Sequence, residues 1–269
     1  GTEEVTNGNF SQIGSEEVLN GNFSQEGSEL VTNGDFSDGL NNWTQQLNPN
    51  FSVDNGVATI ESTVANSLIY QFISPTSTNS ILKIEVDVVS ISNGSVRISF
   101  GGSSVTTSSL GKQVLYTSSS RTNNKMDLSS SISETIVLNS ISVKEVGQDW
   151  DISIGDTTFG NNVGIFPTST SSFLIQLNAV DLSVKNYKLQ YEVVTTNGNN
   201  FRLSGGNSAF GTLDLDSATT GVKTANITSN GAKRNLQINN NAFIGSITNI
   251  SIKEVLQNWG AKDGTMTLS

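Results

Sequence analysis

Leu82-Lys-Ile-Glu-Val-Asp-Val-Val89, followed after Asn93-Gly94 by Val96-Arg-Ile-Ser-Phe100, alternates apolar and polar residues with a period of two. Ile84, Val86 and Val88 fall on one face, and Lys83, Glu85 and Asp87 on the other. That is the pattern of a half-buried antiparallel strand; a helix would repeat near 3.6. Arg97 and Ser99 take the polar positions of the second run. Asn93-Gly94 tolerates positive φ and predicts a tight hairpin between the two runs, as Asn197-Gly198 does further on.

Composition agrees with an all-β chain. The 269 residues hold three prolines and no long run of Ala, Leu, Glu or Lys, and are rich in Ser, Thr, Asn and Gly. A hydrophobic fraction of 35% is lean but sufficient for cores, and the length suits about two domains. Fourteen basic against twenty-four acidic residues give a formal charge of −10 with no Lys/Arg cluster, which argues against a nucleic-acid partner. The absence of cysteine and histidine removes disulfides, thiolate nucleophiles, the usual near-neutral base and the commonest transition-metal ligands. No apolar run is long enough to span a membrane as a helix.

The opening alternation recurs. Leu82–Val89 returns as Tyr187-Lys-Leu-Gln-Tyr-Glu-Val-Val194, and Arg97 as Arg202. Ser142-Val-Lys-Glu-Val-Gly-Gln-Asp-Trp150 returns as Ser251-Ile-Lys-Glu-Val-Leu-Gln-Asn-Trp259. Three matches at a near-constant period of about 107 residues mark two homologous units. The expected division is 27–146 and 147–255, each a two-sheet antiparallel sandwich of the jelly-roll kind, with 256–269 as the opening of a truncated third unit or a tail. Trp43, Trp150 and Trp259 stand at the three openings.

A second repeat, of period thirteen, fills the N-terminus: Gly1–Ile13, Gly14–Glu26 and Gly27–Gly39. Val5, Val18 and Val31 are in register, as are Phe10, Phe23 and Phe36 and the Asn-Gly pairs at 7, 20 and 33. Two recurrent apolar residues cannot offset the ordering of thirteen residues at roughly 1–2 kcal/mol each, so the unit must stack, join a domain or borrow a core. Residues 1–26 are expected to form a short β-repeat segment, with the third copy merging into the first sandwich. A chain that begins in frame with a repeat and without Met is expected to be a fragment of a longer protein.

Glu29-Leu-Val-Thr-Asn-Gly-Asp-Phe36, Asn41-Asn-Trp43, the Leu82–Val89 strand and the closing Ile141-Ser-Val-Lys-Glu-Val146 together resemble the jelly-roll carbohydrate-binding modules found beside glycoside hydrolases. They are more similar still to the tandem copies of that module in bacteriophage tail-fibre and structural proteins. The second unit departs from the pattern: Gln148-Asp-Trp150 has no Val-Thr-Asn-Gly-Asp-Phe segment before it, so it either lacks that edge or takes it from the linker.

The resemblance implies sugar binding, which uses an aromatic face with hydroxyl-pairing polar groups. The candidates are Trp43, Tyr70, Arg97 and Tyr116 in the first unit and Trp150, Arg202 and Phe210 in the second. A tryptophan at each domain opening is more commonly a packing residue, and an arginine on a polar strand face is ion-paired or solvated by default. Asp35, Asp38 and Asp54, or Asp149, Asp151 and Asp156, supply oxygens for a structural calcium without forming a twelve-residue calcium loop; no other cofactor is expected. Glu85, Asp87 and Glu192 alternate with apolar residues as an exposed face does, so no enzyme is expected. The leading reading is a phage fibre or virion-appendage fragment at the virion surface or outside the cell, presenting sandwiches to cell-surface polysaccharide. In it, Val and Phe of the repeats from three chains meet on a common axis. The alternatives are a ligand-free spacer or capsid-decoration module, and the binding module of a secreted adhesin or polysaccharide-degrading enzyme.

Overall fold

The computed structural model describes residues 12–255 apart from residue 48 and segments 63–66, 76–79, 120–123, 131–133 and 153–154; Val5, Phe10 and Trp259 lie outside the described residues. Its regular elements are all strands: β1 (Ile13–Glu16), β2 (Glu26–Glu29), β3 (Thr44–Gln46), β4 (Asn50–Asp54), β5 (Val57–Ser62), β6 (Leu68–Phe72), β7 (Ile81–Ile91), β8 (Val96–Phe100), β9 (Ser103–Thr107), β10 (Gly111–Ser118), β11 (Lys125–Ser130), β12 (Glu134–Val146), β13 (Thr158–Gly160), β14 (Val163–Phe166), β15 (Phe173–Gln176), β16 (Asn186–Thr196), β17 (Phe201–Leu203), β18 (Leu213–Leu215), β19 (Gly221–Thr228), β20 (Leu236–Asn239) and β21 (Gly245–Val255).

Two compact units result. One is Glu26–Val146; the other joins the N-terminal segment up to Gln25 to the chain from Gly147 onward. In the first sandwich β10-β7-β12-β5-β4, with β2 also on β12, faces β3-β6-β11-β8-β9. In the second, β13-β14-β21-β16-β19, with β1 on β21, faces β15-β20-β17-β18. All strand pairs are antiparallel. The alternation in β7 is realised: Leu82, Ile84, Val86 and Val88 are buried against Ile98, Leu128 and Val143, while Glu85 stays outside. The all-β sandwich expected from the sequence is the fold.

The predicted hairpins at Asn93-Gly94 and Asn197-Gly198 do not form. β7 is paired on both edges, by β10 and β12, and β16 by β19 and β21, so neither has a free edge for the next strand. The chain arches across instead, and β8 and β17 enter the opposite sheets. The positive φ these glycines supply is still used, at 76° for Gly94 and 88° for Gly198. The Asn-Gly pair that does close a hairpin is Asn55-Gly56 between β4 and β5, with φ of 50° and 77° as a tight primed turn requires.

The thirteen-residue copies have a specific place. Copy three enters the first sandwich and copy two, Gly14 to Gln25, enters the second, by matching contacts. Glu29 Oε1 accepts the backbone N–H groups of Val31 (3.0 Å) and Val143 (2.8 Å), and its other oxygen accepts the Ser142 hydroxyl. Glu16 does the same for Val18 (3.1 Å), Ile252 (2.8 Å) and Ser251. The indole N–H of Trp43 donates to the Asn33 carbonyl at 3.0 Å, and that of Trp150 to Asn20 at 3.1 Å. The Gln71 amide brackets the backbone of Thr32, accepting at 2.9 Å and donating at 3.1 Å; Gln176 brackets Leu19 at 3.0 and 2.7 Å.

Gly34 and Gly21 are required by close approach. A Cβ would stand 2.1 Å from the Ile141 carbonyl oxygen in one sandwich and 1.9 Å from that of Ile250 in the other. Val18, Phe23, Val31 and Phe36 are all buried, and Phe23 and Phe36 share a φ of 54°. Burial of each phenylalanine contributes roughly 1.5–3 kcal/mol. This corrects the three-chain axis for copies two and three: their Val and Phe lie inside sandwiches of their own chain. It also answers how the second unit obtains its opening edge, which comes from a segment more than a hundred residues upstream rather than from the linker at Gly147.

Candidate functional site

In the first sandwich the outer face of β3-β6-β11-β8-β9 gathers polar and aromatic side chains. Because β11 is central and alternates, Met126 and Leu128 point to the core while Lys125, Asp127 and Ser129 point out. Register then sets Asp127 opposite Tyr70 on one side and Ser99 on the other, and Ser129 opposite Leu68 and Arg97. Lys125 Nζ lies 4.2 Å from the centre of the Tyr70 ring and donates to Gln46 Oε1 at 2.7 Å. Phe72, 70% exposed, meets Tyr70 edge-on at 5.6 Å. Leu68, Arg97, Ser99, Gly101, Gly102, Lys125, Asp127 and Ser129 line an open hollow of about 350 Å³.

Asp127 is the electrostatic centre of this face. Partial burial pushes its carboxyl above the ordinary range, opposed by the nearby Lys125 and Arg97 charges. The buried hydroxyl of Ser129 has no hydrogen-bond partner among the described residues. Such a surface can stack an apolar ring face on Tyr70 and Phe72 and pair hydroxyls with Asp127 and Arg97.

Of the residues singled out from the sequence, Tyr70 and Arg97 come together here. Trp43 does not: it is 7% exposed, packed on Phe36 at 5.6 Å and tied to Asn33. Tyr116 is on β10 of the opposite sheet, beside Lys83. Trp150 is 8% exposed and packed on Phe23 at 5.3 Å. A shallow hollow of about 350 Å³ beside it has Leu19 and Leu177 in its wall. Phe210 is buried against Tyr187, whose phenol is pushed up to about 12, chiefly by burial. Glu85 pairs with Lys83, and Asp87 and Glu192 accept from Asn139 and Asn249. Asp35 holds Ser37, and Asp156 holds Ser172 and Thr168. Among the described residues no three carboxylates converge as metal ligands.

Sequence reading missed Phe72, Lys125 and Asp127. Lys125-Met-Asp-Leu-Ser129 is a plain alternating strand, and only its register beside Tyr70 and Arg97 gives it interest. The alternation itself carried a signal, since it places Phe72 two residues beyond Tyr70 on the same face.

The same position in the second sandwich is built differently. Arg202 is opposite Asn239 and Asp214 and is ion-paired to Asp214 at 2.9 Å. Ile175 stands where Tyr70 does, exchanges two backbone hydrogen bonds with Asp151, one donated by each residue, and is 4% exposed. Gln237 takes the place of Asp127 and is buried against the Gly205 backbone.

No protein-family model matches the chain, and no curated protein matches it. Among solved structures it is similar to the tandem CBM22-1-CBM22-2 domain of Paenibacillus barcinonensis Xyn10C, at 11% identity and a TM-score of 0.34 over 90% of this chain and 93% of that one. It is also similar to a fucolectin from striped bass (Morone saxatilis) serum, at 8% identity and 0.26 over 85% and 99%. A third is a chain of Sulfolobus Turreted Icosahedral Virus, at 10% identity and 0.25 over 79% and 59%.

Proposed function

We propose that the chain is a non-catalytic carbohydrate-binding protein whose first sandwich takes a saccharide chain on the Tyr70–Arg97–Asp127 face. One observation carries this reading: exposed Phe72 and half-buried Tyr70 stand, through the β6–β11 register, beside a hollow whose walls present Arg97, Lys125 and Asp127. Stacking plus a few hydroxyl-pairing groups is the chemistry that recognises sugars, and an open hollow suits an internal stretch of a polysaccharide. The lining holds one carboxylate, whereas glycoside hydrolysis by the usual routes takes two flanking the bond.

The finer setting is a bacteriophage fibre or other virion appendage, or another extracellular surface, where several copies add avidity to a weak single site. What supports it is the resemblance of the opening and closing motifs to tandem modules of phage structural proteins. A glycan array probed with the fluorescently labelled chain, and then calorimetry on the best hits, tests the reading. Tyr70→Ala and Asp127→Asn are expected each to lower affinity at least tenfold while the far-ultraviolet spectrum is unchanged. A blank array leaves the ligand-free spacer as the reading, and binding indifferent to both substitutions removes the Tyr70–Arg97–Asp127 face as its site.

A further inference from the structure

We infer that the saccharide taken by the first sandwich is an acidic one, and that Arg97 holds its carboxylate or sulfate ester; the inference rests on the Tyr70–Arg97–Asp127 face being the sugar site. The two sandwiches differ at one arginine. Arg202 stands between Asn239 and Asp214 in register, and its Nε donates to the Asp214 carboxylate at 2.9 Å. Arg97 stands between Ser129 and Thr106. The carboxylate that the protein itself supplies to this arginine in the second sandwich is therefore missing from the facing strand in the first, where an exposed threonine replaces it. Among the described residues the Arg97 guanidinium makes no hydrogen bond and no ion pair, although the side chain is half-buried in the wall of the hollow.

Charge and donor chemistry favour an acidic group over a neutral hydroxyl at this place. The chain carries a formal charge of −10, yet the hollow sets Arg97 and Lys125 against the single carboxylate of Asp127. Lys125 is engaged by the Tyr70 ring and by Gln46, so it lends charge beside the aromatic surface while Arg97 keeps its fork for a ligand. A guanidinium only donates, in a planar fork that matches two parallel oxygens. A sugar hydroxyl brings a proton that needs an acceptor of its own. A carboxylate or sulfate accepts two N–H groups at once, and such charge-assisted bonds are about twice as strong as neutral ones. Asp127 repels an anion set against it and remains the acceptor for hydroxyls. The acidic group therefore belongs on the other side of Arg97, toward Thr106, where β9 carries no charged residue.

The test is an array that carries polygalacturonate, alginate and a sulfated galactan, each beside its carboxyl-reduced or desulfated form and among neutral glycans. It is probed with the 1–269 chain, and calorimetry follows on the tightest pair. The acidic member is expected to bind about tenfold tighter than its neutral counterpart or better, and the pair that shows this separates carboxylate from sulfate. Arg97→Gln should abolish the preference. Thr106→Asp gives Arg97 the partner that Arg202 has, at an exposed position. It should lower affinity for the acidic member about tenfold or more, while the neutral member changes by less than about threefold and the far-ultraviolet spectrum is unchanged. Neutral glycans bound as tightly as acidic ones, or a preference that survives either substitution, overturn the inference and leave the sugar site standing. A blank array overturns both.

Discussion

The two sandwiches share an inner code and differ on their outer faces. Inside, the same glutamate, valine, asparagine, glycine, phenylalanine, tryptophan and glutamine recur at equivalent contacts. Outside, Tyr70, Lys125 and Asp127 in the first become Ile175, Asn235 and Gln237 in the second, and the arginine that faces the hollow in one is held by Asp214 in the other. Parts that specify a fold must satisfy buried hydrogen bonds and close packing, where most substitutions are costly. The outer face of the first sandwich has no such demand and differs from that of the second, where Ile175 and Gln237 are buried.

The shared phenylalanine is where the parallel between the cores is most exposed to refutation. Phe36→Ala should cost the first sandwich about 3–5 kcal/mol and Phe23→Ala the second by the same amount. Each should move one of two calorimetric transitions and leave the other in place; a shift of both would mean the cores are not independent.

Next in size is the shared glutamate. Glu29→Ala leaves the Val31 and Val143 N–H groups without their acceptor and should cost about 1–3 kcal/mol, with Glu16→Ala equivalent in the second sandwich. Urea denaturation with tryptophan fluorescence reads both, since Trp43 and Trp150 report separate units.

Asp127 probes the difference between the outer faces. A carboxyl whose pKa is raised by folding binds its proton more tightly in the native state, so its contribution to stability falls as pH rises through the carboxylate range. Asp127→Asn should therefore raise the first transition at neutral pH, with the gain vanishing on acidification below that range. Melts from acid to neutral pH check this, and a pH-independent difference would contradict it. Glu26, held below the usual range chiefly by hydrogen bonds from Lys83 and Lys144, has the opposite sign: its contribution is present above the ordinary carboxylate pKa and fades as pH falls through the lowered one.

The smallest effect belongs to Arg202→Ala, which removes a surface ion pair worth about 0.2–1 kcal/mol and should leave glycan binding unchanged. Arg97→Ala should instead leave the melt nearly unchanged and weaken binding, measured by the same calorimetry.

Much of the fold was legible because alternation, Asn-Gly turns and repeats are local signals. Ile84, Val86 and Val88 face the core as their spacing requires, and the pairing of Arg97 with Arg202 survives as structural equivalence. The arches at Gly94 and Gly198 were misread because a hairpin and a sheet crossing ask the same φ of the turn; what separates them is whether the preceding strand has a free edge, which no local residue records. The union of the segment ending at Gln25 with the chain from Gly147 was hidden for a similar reason, since it joins segments separated by a whole domain. Of the binding face, Tyr70 and Arg97 were visible as residue types, whereas Lys125 and Asp127 acquire meaning only from lateral register.

Glu26 and Val146 are partners across β2 and β12, so the first sandwich begins and ends at one place. During synthesis the entry segment of the second sandwich emerges first and must wait for residue 255, about 10–50 s at ordinary ribosomal rates. Throughout that interval Val18 and Phe23 have no completed core to enter, since the closing strand that carries Ile250 and Ile252 is made last. Completion of the first sandwich brings its two ends together and replaces a long flexible closure with a short one. The inserted domain thus acts as a clasp for the domain that surrounds it in sequence, and a defect in the first would reach the second as slower closure during folding rather than as a lost contact.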